Sequence, residues 1–89
     1  MWTFRRRKKF KARYDRLTRA QKEAVKEAWP RFQEDPFSAQ FGTHQIQRLR
    51  AFYGQTVYSV VLMGDLRALF ILDGKTVVFV DIGTHKIYG

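Results

Sequence analysis

The apolar positions change their period twice along the chain, and those changes set the order of elements. Trp2 and Phe4 alternate around Thr3 as on one face of a short strand. Phe10, Tyr14 and Leu17 then fall at i, i+4 and i+7, one stripe of a helix whose other faces are almost wholly basic. Thr18, followed three residues later by Gln21, has the spacing of a capping box, in which each side chain accepts from a free amide of the first turn. Behind it Ala20, Ala24, Val25, Ala28, Trp29 and Phe32 form the clearest helical stripe in the chain, so two helices in a hairpin are predicted. Pro30 lacks an amide N–H and biases Trp29 away from helical angles, which predicts a kink or an early end there. Asp35-Pro36 stops any continuation.

From Phe37 to Tyr53 no period holds, with Gly42 and Gly54 as breaks, and the reading is a loop with a short turn of helix around His44 to Leu49. Beyond it the pattern is strand: Thr56 to Leu62, Leu66 to Leu72 and Thr76 to Ile82. Met63-Gly64-Asp65 and Asp73-Gly74 supply the turns. With Asp73-Gly74 as a two-residue turn, Leu72 lies opposite Lys75, Phe70 opposite Val77, Ala68 opposite Phe79 and Leu66 opposite Asp81, while Arg67 faces Val80 on the other side. Arg67 then shares a face with Leu69, Ile71, Val78 and Val80. A charge at the end of such a face is either paired, with Asp65, Asp81 or Glu34, or placed to meet a ligand. Strand, helix hairpin and meandering strands predict an α+β fold, with the N-terminal strand and the hairpin packed on an antiparallel sheet of about four strands.

At 89 residues and 45% apolar composition, one domain over residues 1–89 is expected, with a core of its own. The absence of cysteine excludes disulfides, thiolate metal sites and cysteine nucleophiles. The net charge of +9 resides in the first 31 residues, which hold 12 of the 17 Lys+Arg and three of the eight Asp+Glu; the remainder is neutral. Such an asymmetry suits a polyanion, whose neutralised phosphates release counterions. No secretory leader is visible and no apolar run approaches the ~20 residues that cross a bilayer, so a cytoplasmic protein without membrane partners is expected.

Phosphate-binding glycine loops, nucleophile elbows and metal-ligand spacings are absent, and neither a metal nor a cofactor is implied. The groups left to carry chemistry are Arg67, His85, Lys86 and Tyr88 near the C-terminal strands, with His44 on the preceding loop.

The element order, Glu34-Asp35-Pro36-Phe37, the run Gly64-Asp65-Leu66-Arg67-Ala68-Leu69-Phe70 and the ending Asp81-Ile82-Gly83-Thr84-His85-Lys86-Ile87-Tyr88 together resemble the RelE/ParE superfamily of toxins from toxin–antitoxin modules, over nearly the whole chain. The resemblance implies a microbial RNase-like fold, a cognate antitoxin as partner, and, in the RelE/YafQ-like branch, ribosome-dependent cleavage of mRNA through attack by the substrate's own 2′-hydroxyl. Arg67 stands where RelE-like toxins carry a strand arginine that would stabilise phosphorane charge. His85 follows Gly83 by two positions, like a histidine in YafQ-like relatives, and is the candidate general acid. Tyr88 is the candidate aromatic for base stacking, and His44, in His44-Gln45-Ile46, resembles the loop histidine that would act as base. Arg6, Lys9 and Arg13, with Lys86, would contact RNA phosphates.

Departures from the family lie in the same regions. Thr56 to Leu62 carries no lysine, with Tyr58 and Val60 at the nearest positions, and Tyr88 comes three residues after His85 where relatives place the aromatic later. Asp81 stands in place of an arginine, so either it orients Arg67 or His85, or the chain is a weak or inactive nuclease. A ParE-type inhibitor of DNA gyrase and a silent RNA-binding domain are the alternatives. Oligomeric state is not legible.

Overall fold

In the computed structural model, which describes residues 1–88 apart from the side chain of His85, the order of elements follows the periods, with one strand more. Strand β1 (Thr3–Arg6) runs almost directly into helix α1 (Lys8–Asp15); between them the Arg7 amide donates to the Phe79 carbonyl at 3.0 Å and extends the pairing of β1. Helix α2 (Arg19–Glu34) opens with the expected capping box: Thr18 Oγ1 accepts from the Gln21 amide at 3.1 Å, and Gln21 Oε1 accepts from the Thr18 amide at 2.9 Å.

Pro30 does not bring the early end, since α2 continues through it to Glu34. The reason is packing. Pro30 sits on the exposed side, while Phe32, two residues on, is 2% exposed, with the rings of Phe4, Phe41, Phe70 and Phe79 at centroid distances of 5.4 to 6.0 Å. Burying that ring outweighs the bond lost at the Lys26 carbonyl. The helix stops at Asp35, extended (φ −154°, ψ 99°) as the residue before a proline must be, and its Oδ1 accepts from the Phe37 amide at 2.9 Å.

The segment read as loop contains a strand too short for any period to reveal, β2 (His44–Gln45), followed by a 3₁₀ turn (Gln47–Leu49) and helix α3 (Arg50–Tyr53). Strands β3 (Tyr58–Met63), β4 (Leu66–Asp73) and β5 (Thr76–Gly83) complete a mixed five-stranded sheet of order β1-β5-β4-β3-β2. All pairs are antiparallel except β1 with β5, which is parallel. The α+β class holds, with β1 at the sheet edge as expected.

The register departs from the sequence reading. The β4–β5 hairpin turns at Gly74-Lys75, with Asp73 opposite Thr76, because Gly74 takes a positive φ of 60° at the first central position, as a type II′ turn requires. Phe70 therefore meets Phe79 and Ile71 meets Val78. A bulge then leaves Val80 without a partner, and beyond it Leu69 faces Asp81, Ala68 faces Ile82 and Arg67 faces Gly83.

Two apolar clusters sandwich the sheet. On the α1/α2 face Phe10, Ala28, Phe32, Val60, Ala68, Phe70, Val77 and Phe79 are buried together. On the opposite face a smaller cluster of Leu49, Val57, Leu69, Ile71 and Val80 is covered, among the described residues, by the segment around α3 and by the C-terminal 3₁₀ turn (His85–Tyr88), through Ile46, Tyr53, Ile87 and Tyr88. No helix among the described residues is long and apolar enough to cross a membrane.

Candidate functional site on the second sheet face

Alternation along β4 places Arg67 on the face of Leu69 and Ile71, as the sequence predicts. Its Nε is buried without a hydrogen-bond partner among the described residues; Asp65 Oδ1, at 3.7 Å, makes an ion pair but is too far for a hydrogen bond. Of the carboxylates weighed from sequence, Asp65 is thus the one that reaches Arg67. The Arg67 guanidinium lies 5.9 Å from the centroid of the Tyr88 ring, and the Arg48 guanidinium lies at 5.9 Å from the same ring. The Tyr88 hydroxyl is 2.6 Å from Ser59 Oγ, at a position of β3 with no exposure.

Ser59 is paired with His44 of β2 and with Leu69 of β4, so pleating puts His44 on this face too, at its outer edge. The His44 side chain is exposed, and its Nδ1 lies 2.8 Å from the Gly42 carbonyl. A carbonyl oxygen can only accept, so Nδ1 carries the proton. In the neutral ring Nε2 is then left as an acceptor.

The C-terminal turn is set by close packing at Gly83, where a Cβ would come 2.8 Å from Ile87 Cγ2. Lys86 is exposed on that turn. The side chain of His85, the residue expected as general acid, lies outside the described residues, whereas its backbone opens the turn that carries Tyr88.

Asp81 does not orient Arg67: among the described residues its partners come from α1 and from the Ile82 amide. The bulge at Val80 turns it from the helix face, where the expected register put it opposite Leu66, to the second face, and there it is 1% exposed. Lys9 Nζ lies 3.3 Å from Oδ2 and Arg13 Nε 3.5 Å from Oδ1, which also accepts from the Ile82 amide at 2.9 Å. A buried carboxylate needs such partners, and α1 supplies them. Lys9 further approaches the Tyr53 hydroxyl (3.5 Å) and the Phe52 ring (5.7 Å from the centroid). Two of the cations expected to meet RNA therefore have a structural role. The third, Arg6, is exposed and aligned with Phe79, towards the helix side of the sheet.

The structure thus brings Arg67 and Tyr88 together, with His44 on the same face, and adds Arg48 and Ser59, which sequence reasoning missed. Ser59 had a signal, as the one small hydroxyl inside an apolar run. Arg48 had none, because it comes from a segment without period. Among the described residues no three His, Cys, Asp or Glu side chains gather as a metal site would need.

No family model matches this chain, and no curated protein matches its sequence. Two solved structures share its fold. A copper-bound mutant toxin from Helicobacter pylori is 13% identical over 98% of both chains, with a TM-score of 0.65. A conserved hypothetical protein from the same organism, solved in solution, is 12% identical over 97% of both chains, with a TM-score of 0.67. The likeness at such identities is one of fold: the chain has the α+β architecture of a solved Helicobacter toxin.

Proposed function

We propose that the chain is the toxin of a type II toxin–antitoxin pair, a metal-independent, ribosome-dependent mRNA endonuclease held in check by a cognate antitoxin. The observation that carries this reading is the Arg67 guanidinium, with a buried and unsatisfied Nε, set against Tyr88 on the less covered sheet face. An always charged planar fork with spare donors matches a phosphorane. The fold shared with a Helicobacter toxin supports the same reading.

In the proposed reaction the 2′-oxygen attacks the adjacent phosphorus as His44 Nε2 takes its proton, and the P–O5′ bond breaks to leave a 2′,3′-cyclic phosphate. His85 returns a proton to the departing 5′-oxygen. Arg67 holds the charge that develops between these events, and the Tyr88 ring offers a stacking surface to a base. Expression without the partner should arrest growth and produce mRNA cuts at codon-spaced positions. Arg67→Ala and His85→Ala should each relieve both.

A second reading, an RNA-binding protein that does not cut, is favoured by β3, whose residues Tyr58–Met63 carry no charge. An absence of any growth effect would select it. Inhibited supercoiling with intact mRNA would instead point to gyrase as the target.

A further inference from the structure

Pleating sends Arg5 of β1, and Arg7 just beyond it, to the sheet face opposite Phe4 and Arg6, since Arg5 is aligned with Val78 of the second cluster. There a cavity of about 260 Å³ opens, lined by Arg5, Arg6, Arg7 and Gln55 over Ile71 and Val78, with Asp73 as its one carboxylate. None of the three arginines has an ion-pair partner among the described residues, in contrast to Lys9 and Arg13. Like charges on Arg5 and Arg7, on one side of a polar hollow whose rim Arg6 reaches from the other, repel one another, and an anion with several acceptor oxygens removes that repulsion.

The cavity lies on the same face as Arg67. Arg5, Val78 and Ile71 stand side by side on neighbouring strands, and Ile71 is four residues along β4 from Arg67. Strand geometry puts the two cationic positions about 16 Å apart, roughly five nucleotides at the ~3.4 Å rise of a stacked strand. The chain from Arg48 to Gln55 links the two places, and on it Arg50 and Phe52, the latter 75% exposed, face solvent.

We infer that Arg5 and Arg7, with Gln55, form a second phosphate subsite, which holds the backbone of a single-stranded nucleic acid whose other end lies at Arg67 and Tyr88. The inference rests on the RNA reading for the identity of the strand, but its test needs no cleavage. Binding of fluorescent diuridylate, decauridylate and decathymidylate to the isolated protein is measured by anisotropy across a salt series.

Arg5→Gln/Arg7→Gln is expected to weaken decauridylate about tenfold, leave diuridylate unchanged, and lower the log–log salt slope by about 1.4, the value for two phosphates on a single strand. Decathymidylate should lose as much, because the subsite reads phosphate alone. Asp73→Asn should strengthen both decamers, which keeps the test open if the double variant fails to fold. Unchanged decamer binding and slope, a loss confined to RNA, or a loss as large for the dimer would each overturn the subsite. A wild-type protein that cuts no mRNA yet shows this length dependence would remove the nuclease reading and leave the subsite standing.

Discussion

The hydroxyls of Tyr88 and Ser59, 2.6 Å apart, fasten the C-terminal turn to the interior of β3. Ser59 has no exposure, so removal of its partner leaves a buried hydroxyl to satisfy. Tyr88→Phe keeps the ring beside Arg48 and Arg67 and deletes only this bond. It should cost about 1–2 kcal/mol in urea unfolding; an unchanged midpoint would mean that the bond contributes nothing net.

The grouping of Asp81 with Lys9 and Arg13 should respond asymmetrically to mutation. Asp81→Asn leaves cations that are 45% and 48% exposed and free to hydrate, while keeping an oxygen for the Ile82 amide. A loss of about 1–2 kcal/mol is expected. Lys9→Met/Arg13→Met strands a carboxylate in the interior and should cost about 3 kcal/mol or more. Urea midpoints in the opposite order would remove α1 as the stabilising partner of Asp81.

Pro30 offers a gain. Pro30→Ala restores an amide that can donate to the Lys26 carbonyl at an exposed position, and a rise of about 1–3 kcal/mol is expected. Thr18→Ala should lose about 1 kcal/mol with the capping box. In a domain of this size each kcal/mol moves Tm by roughly 4–8 °C, so both are readable by calorimetry. A Tm for Pro30→Ala at or below that of the parent would show that α2 needs the proline.

Gly83→Ala tests the tight turn. The new methyl would press on Ile87, whose β-branched side chain has little rotamer freedom to retreat. A loss of about 1–3 kcal/mol, typical of overpacking, is expected by thermal unfolding, together with altered tyrosine fluorescence as Tyr88 shifts. No change in either signal would show that the turn moves without cost.

How much of this was legible beforehand differs from element to element. The capping box at Thr18, the α2 stripe and the presence of a hairpin turn at each of Gly64 and Gly74 follow from local chemistry and stand as expected, although the second turn lies one residue later than read. The face shared by Arg67, Leu69 and Ile71 was also readable, because alternation along a single strand does not depend on the register of its partner. The bulge at Val80 was not, since nothing local marks it, and it alone decides which side Asp81 faces. Pro30 misled because a single-residue preference of a few kcal/mol was set against no knowledge of where Phe32 would pack. The pair β2 and Arg48 arose from a stretch where contacts with distant strands, not periodicity, fix the backbone.

The parallel union of β1 with β5 joins Thr3 to Thr76, almost the full span of the chain. An emerging polypeptide holds its first strand unmatched until the last has been made. The loop it must then close is the longest the molecule contains, and the entropy of that closure is not regained by any nearer partner. The pairing of β1 is thus deferred until β5 has been made, and the Arg5 corner of the second face takes shape only then.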